Sequence, residues 1–93
     1  MSARKELGNL FRNKRAELNL NLEAISSELG LADSSYLTRV ESGRQVPSIR
    51  IAIAYARVLN ISLDEMLELK FKADLEPLIQ KVIASITGTD SIK

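Results

Sequence analysis

Four residues that tolerate a left-handed backbone punctuate the chain, Asn19, Gly30, Gly43 and Asn60, and each is soon followed by a side chain that starts helices. Gly and Asn end helices because the residue after the last turn must reach positive φ. Asn21, Asp33, Ser48 and Ser62 can each accept the orphan N–H groups of a new first turn. Ser62 with Glu65 makes an S-x-x-E capping box, and Pro47 forbids an early restart after Gly43. A chain cut this way is a set of short helices. Leu7, Leu10, Phe11 and Leu18 agree, recurring at helical spacing.

Six helices are expected: residues 4–18, 22–29, 34–42 and 49–59, a fifth opening behind Ser62, and a last one over 75–86. Asp74 is read as the cap of the last helix, Pro77 as a first-turn residue where a missing N–H costs little, and Gly88 as its end before a polar tail. Residues 67–72 alternate apolar and charged side chains, a period of two that also suits a short extended segment. The expected core is Leu10, Leu18, Leu22, Ile25, Leu29, Leu37, Val40, Ile49, Ile53, Ala56, Leu59, Ile61 and Leu67.

Composition narrows the chemistry. With 93 residues there is room for one compact domain. Two Phe, two Tyr and no Trp leave Leu, Ile, Val and Ala to build the core, which favours packed helices. The absence of Cys and His removes disulfides, thiol catalysis, most zinc and haem sites and the usual catalytic triads. Carboxylates do not cluster and no Gly-rich phosphate loop exists, so neither an enzyme nor a bound cofactor or metal is expected. No apolar run approaches the roughly 20 residues needed to span a bilayer, and the N-terminus has no apolar leader, so a cytoplasmic location is expected. Charge is uneven: residues 1–58 hold nine Lys/Arg against six Asp/Glu, and residues 59–93 hold four against six.

The basic half carries the informative motif, Leu22 to Gly43, two short amphipathic helices joined by a tight Gly turn. Such a pair can lay its first helix across phosphates while the second enters the major groove. Around it the sequence resembles the lambda-repressor-like family, also called the Xre or Cro/repressor family. The resemblance rests on Leu7-Gly8-Asn9-Leu10-Phe11-Arg12 with Lys14-Arg15, on Leu22-Glu23-Ala24-Ile25-Ser26, on Tyr36 through Arg44 with Pro47-Ser48, and on Ala56 through Leu67. It implies an all-α, five-helix DNA-binding domain, usually dimeric, to which this chain adds one C-terminal amphipathic helix. It also implies that Arg15 pairs with Glu41 to fix the recognition helix against the first helix. The chain departs from the family at the turn, where Leu31 and Ala32 stand in place of one residue. It departs again at Ser26, often a small Ala, and at Leu22, often a Gln. Ser26 can bond back to its own helix backbone and so remain tolerable in a packed site.

Ser34 and Ser35 open the recognition helix, about residues 34–42, where side chains meet base edges; their other reading is as caps. Thr38 and Arg39 follow one turn later; Arg39 suits bidentate contact to guanine O6 and N7, its alternatives being to neutralise a phosphate or to face solvent. Tyr36 falls where the family carries a residue near the DNA backbone; packing on the domain surface is the alternative. Arg44 and Gln45 occupy a loop of the kind that approaches phosphates. Arg12 and Lys14, with Arg4 and Lys5, are phosphate candidates whose alternative is a solvated face.

In the last helix Leu75, Leu78, Ile79, Val82, Ile83 and Ile86 form one stripe. It either folds back in cis or pairs with a second copy, and dimerisation is preferred because dimers double the base contacts over symmetric half-sites. The domain organisation expected is a DNA-binding domain over 1–69 and a dimerising helix and tail over 70–93. The expected function is a homodimeric regulator of transcription, a repressor, on a palindromic double-stranded operator. The rival is an antitoxin-like or accessory module holding a protein partner through the apolar stripe.

Overall fold

The computed structural model describes residues 2–92, with side chains through residue 87. Met1, Lys93 and the side chains of the tail after Thr87 lie outside the described residues. Five helices follow in order: α1 Ala3–Glu17, α2 Leu22–Glu28, α3 Ser35–Glu41, α4 Ile49–Val58 and α5 Leu63–Ile92. There is no strand among the described residues, so the chain is all-α, with a helical order compatible with the lambda-repressor-like fold.

The helix boundaries follow the punctuation closely. Asn19, Gly30, Gly43 and Asn60 have φ of 57°, 80°, 79° and 58°. At each, the next residue's N–H bonds back across the helix end: Leu20 to the Arg15 carbonyl, Leu31 to Ser26, Arg44 to Arg39 and Ile61 to Ala56. These paired C-terminal bonds satisfy carbonyls that a helix end would otherwise leave bare. At the starts, Asn21 Oδ1 accepts from Glu23 and Ala24 N–H, Ser48 Oγ from Ile51 and Ser62 Oγ from Glu65. Ser2 caps α1 in the same way, accepting from Lys5 N–H.

Leu7 and Phe11 of α1, Ile25 of α2, Leu37 and Val40 of α3, and Ile51, Ala52, Tyr55 and Ala56 of α4 converge on one core with Leu59, Ile61 and Met66. The Phe11 and Tyr55 rings stack at its centre, 4.5 Å apart and 14° from parallel. Leu18 and Ile49 were expected inside but are exposed. Leu18 is the C-cap of α1, where the chain leaves the core. Ile49 is the first residue of α4, at the edge of a buried stripe that runs through Ile51, Ala52, Tyr55 and Ala56. Ser26 makes no bond back to its helix: its Oγ is buried without a hydrogen-bond partner among the described residues.

The C-terminal region differs most from expectation. The separate sixth helix and the extended reading of residues 67–72 are replaced by one 30-residue helix, α5. Met66, Lys70 and Ala73 are buried along it, with Leu67 and Leu69 half-buried. That 3.6-residue spacing, set by packing on α1 and α4, overrides the local alternation. Asp74 is therefore no cap; its Oδ2 accepts from Lys70 Nζ at 2.6 Å, one turn back. Pro77 lies inside the helix and deprives the Ala73 carbonyl of its usual donor, at a cost of about 3 kcal/mol. Beside it, Glu76 Oε2 accepts from Ala3 N–H at 2.7 Å, placing a carboxylate at the positive end of α1 and joining α1 to α5 beyond the core. Gly88 is passed without a break, and the expected division between residues 69 and 70 falls within this helix.

α1 and α3 meet backbone to backbone at Gly8. A Cβ built there would stand 2.5 Å from the Val40 carbonyl oxygen and 2.7 Å from that of Glu41. Those atoms belong to the last turn of α3 and cannot yield as a side-chain tip can. Ala normally favours a helix over Gly by about 1 kcal/mol; here overpacking, typically 1–3 kcal/mol, opposes it. The net loss of up to about 2 kcal/mol means that Gly8→Ala is expected to lower the melting temperature, by about 4–8 °C for each kcal/mol lost, in a thermal unfolding experiment, and a raised value would contradict this packing.

Candidate nucleic-acid interface

α3 has seven residues, too short to hold its own shape in water. Its inner face, Leu37, Val40 and Glu41, is buried. Its outer face presents Ser35, Thr38 and Arg39, all exposed. Glu41 is a carboxylate only 6% exposed, and three groups hold it. Arg15 Nε donates to Oε2 at 2.8 Å and Nη2 to Oε1 at 3.0 Å, a two-pronged pair. The Tyr55 hydroxyl donates to Oε2 as well. Arg15 Nη1 reaches on to the Leu20 carbonyl at 3.1 Å, so the α1–α2 turn joins the cluster. The hydrogen bond to Glu41 raises the Arg15 pKa above its ordinary value. Burial, then the bond to Glu41, pushes the Tyr55 phenol well above its ordinary range. Arg15 is thus a cation and Tyr55 a neutral donor at any physiological pH.

The turn into α3 absorbs the additional residue. Gly30 reverses the chain, Leu31 packs half-buried on the core and Ala32 points out. The cap falls one residue later than expected, at Ser34, whose side chain makes no capping bond. Asp33 supplies it instead, Oδ1 accepting from Ser35 N–H at 2.9 Å. That backbone bond lowers the Asp33 pKa. Ser34 Oγ is left out of the helix's own bonding.

Beyond α3 the structure brings several candidate residues together. Arg39 Nε donates to Gln45 Oε1 at 2.7 Å, and its guanidinium carbon stands 6.0 Å from the centroid of the Tyr36 ring. Tyr36 packs half-buried against the core, and its hydroxyl accepts from Ser48 N–H at 2.9 Å. Arg44 Nε donates to Ser42 Oγ, itself bonded to the Arg39 carbonyl. Arg12, exposed on α1, donates from Nη2 to Asn9 Oδ1 at 3.1 Å and is not part of this group. Sequence reasoning missed Tyr55, which needed α4 placed in three dimensions. It also missed the role of Gly8, although a Gly inside a helical pattern is a recognised sign of close approach.

On the far half of α5, Leu75, Leu78, Ile79, Val82, Ile83 and Ile86 are each at least 49% exposed, and Phe71 extends their stripe toward the core. No helix among the described residues is long and apolar enough to cross a membrane.

The helix-turn-helix family model matches residues 11–66. Over 60 residues the sequence is 33% identical to the ImmF control region 10 kDa protein of Bacillus phage phi105, a stretch covering 64% of this chain and 66% of that protein, a little under two thirds of its length. The crystal structure of the clp gene regulator ClgR from Corynebacterium glutamicum superposes with a TM-score of 0.66 at 19% identity, over 100% of this chain and 98% of that one. At that identity the likeness is one of fold.

The buried cluster has a measurable consequence. Arg15→Ala would leave the Glu41 carboxylate buried with only the Tyr55 hydroxyl. The expected loss of stability, by urea unfolding, is about 3–5 kcal/mol. A loss below about 1 kcal/mol would mark the pair as an ordinary surface contact.

Proposed function

This chain belongs to the lambda-repressor-like helix-turn-helix family, and from that membership we propose that it is a sequence-specific regulator of transcription, a repressor that binds double-stranded DNA as a homodimer. The observation that carries the proposal is the two-faced character of α3. One face is locked inward through Leu37, Val40 and the Glu41–Arg15 pair, while Ser35, Thr38 and Arg39 stand exposed on the other. A helix held this way can enter the major groove without reordering itself.

In this reading Ser34, Ser35, Thr38 and Arg39 face base edges, and Arg39 suits the bidentate guanine contact. Arg44, Gln45, Tyr36 and Arg12 lie toward phosphates or support the readers. The relative from the control region of a phage genome supports a regulatory role. The apolar stripe of α5 supports dimerisation, since six half-exposed large apolar side chains on one helix are costly to leave in water. In this division of labour residues 1–69 bind DNA and residues 70–93 associate. A protein partner seated on the same stripe is the second reading.

Two experiments test the proposal. Selection of bound duplexes from a random pool is expected to enrich two inverted half-sites about one helical turn apart; weak, salt-sensitive binding with no enrichment would sink the operator reading. For the stripe, Ile83→Asp is expected to give a folded monomer in sedimentation, with helical content retained. Collapse of the fold would place the stripe in the monomer core instead, and a wild-type chain already monomeric would direct the search to another protein.

A further inference from the structure

Arg39 is the single basic side chain of α3, and on a helix surface an arginine normally samples many rotamers. Here its backbone and side chain are both held by the segment that follows. Its carbonyl accepts from Arg44 N–H at 2.9 Å and from Ser42 Oγ at 3.1 Å. These bonds lay the loop over the last turn of α3 and deliver Gln45, half-buried, beside the Arg39 guanidinium. The Gln45 carbonyl then takes the Nε–H at 2.7 Å. The Tyr36 ring lies near the guanidinium and is itself anchored by the Ser48 N–H and by the core.

Resting on the reading of α3 as the recognition helix, we infer that Gln45 is a positioning residue for Arg39, which sets specificity at one base pair without reading a base itself. A guanidinium is planar, with one Nε–H and four Nη–H donors. Engaging Nε–H fixes the orientation of that plane and leaves the paired Nη–H groups at the tip, the pair that matches guanine O6 and N7. Preorganisation of this kind removes rotamer entropy that binding would otherwise have to overcome. A glutamine that read adenine directly would need both its carbonyl oxygen and its amide N–H for the bidentate pattern. One of the two lone pairs of the Gln45 oxygen is already taken by Arg39, which also fixes where that oxygen points.

The test uses the full chain and the half-site found by selection. Affinity is measured for that site and for each of its single-base-pair variants, with the wild type, Arg39→Ala, Gln45→Met, Gln45→Glu and the Arg39→Ala/Gln45→Met double variant. Gln45→Met keeps the length of the side chain and removes the acceptor. Gln45→Met is expected to lose about tenfold in discrimination at the same base pair that Arg39→Ala makes indifferent. In the Arg39→Ala background it is expected to change nothing further. Gln45→Glu, which keeps an acceptor for Nε–H, is expected to retain discrimination at that base pair even as its charge weakens binding overall. A loss by Gln45→Met at a different base pair, or one that persists without Arg39, would overturn the inference by showing that Gln45 reads DNA itself. If Arg39→Ala left discrimination unchanged at every position, Arg39 would read no base and this inference would fall, whereas the reading of α3 as the recognition helix falls only if selection enriches no half-site at all.

Discussion

Glu41 sits at the end of a seven-residue helix with its carboxylate almost wholly out of water. Such a charge is tolerable only if its lone pairs are taken up, and here Arg15 and Tyr55 do so from two different helices. The geometry ties α1, α3 and α4 at one point, with Arg15 also reaching the α1–α2 turn. A buried ion pair is not by itself a strong source of stability, because desolvation offsets much of its attraction. What it supplies is position. A hydrophobic side chain at residue 41 could slide or rotate, whereas a two-pronged guanidinium–carboxylate contact has one arrangement.

The close approach at Gly8 and the stacking of Phe11 on Tyr55 depend on that arrangement. Gly8 lets the α1 backbone come against the last-turn carbonyls of α3, next to Glu41 itself. Phe11, one turn before Arg15 on α1, packs its ring on the residue whose hydroxyl completes the cluster. The outer face of α3 is therefore presented by a rigid mount. The loop that follows continues the same logic: Gly43 turns the chain back, Arg44 bonds the Arg39 carbonyl, and Gln45 and Tyr36 hold the Arg39 side chain.

The far half of α5 is held differently. Past Ala73 it leaves the core and loses a backbone bond at Pro77, while the Glu76 carboxylate on the first N–H of α1 ties it to the domain. Lys70 and Asp74 add an i,i+4 pair along the same helix. Its apolar stripe then runs exposed.

Helix ends and starts were legible because they are local chemistry. Asn19, Gly30, Gly43 and Asn60 carry the conformational freedom that each turn requires, and Asn21, Ser48 and Ser62 carry their capping oxygens wherever they stand in the fold. The Arg15–Glu41 pair was legible only through family resemblance, since nothing in the spacing of 26 residues brings the two together. Asp33 shows the limit of local reading: its side chain does bond the start of α3, yet the cap position falls one residue later, at Ser34.

The sequence by itself determined the class of fold, the punctuation of its first four helices and the two helices that form the motif, because those follow from backbone conformational preference and apolar period. Tertiary structure alone decided that residues 67–72 are helical and not extended, since the burial of Met66, Lys70 and Ala73 outweighs the alternating pattern. It alone decided that Tyr55 completes the Glu41 cluster and that Gly8 is a point of contact, because both depend on which helices cross and how closely. Desolvation and close packing act between parts of the chain that are distant in sequence, and no local pattern encodes their sum.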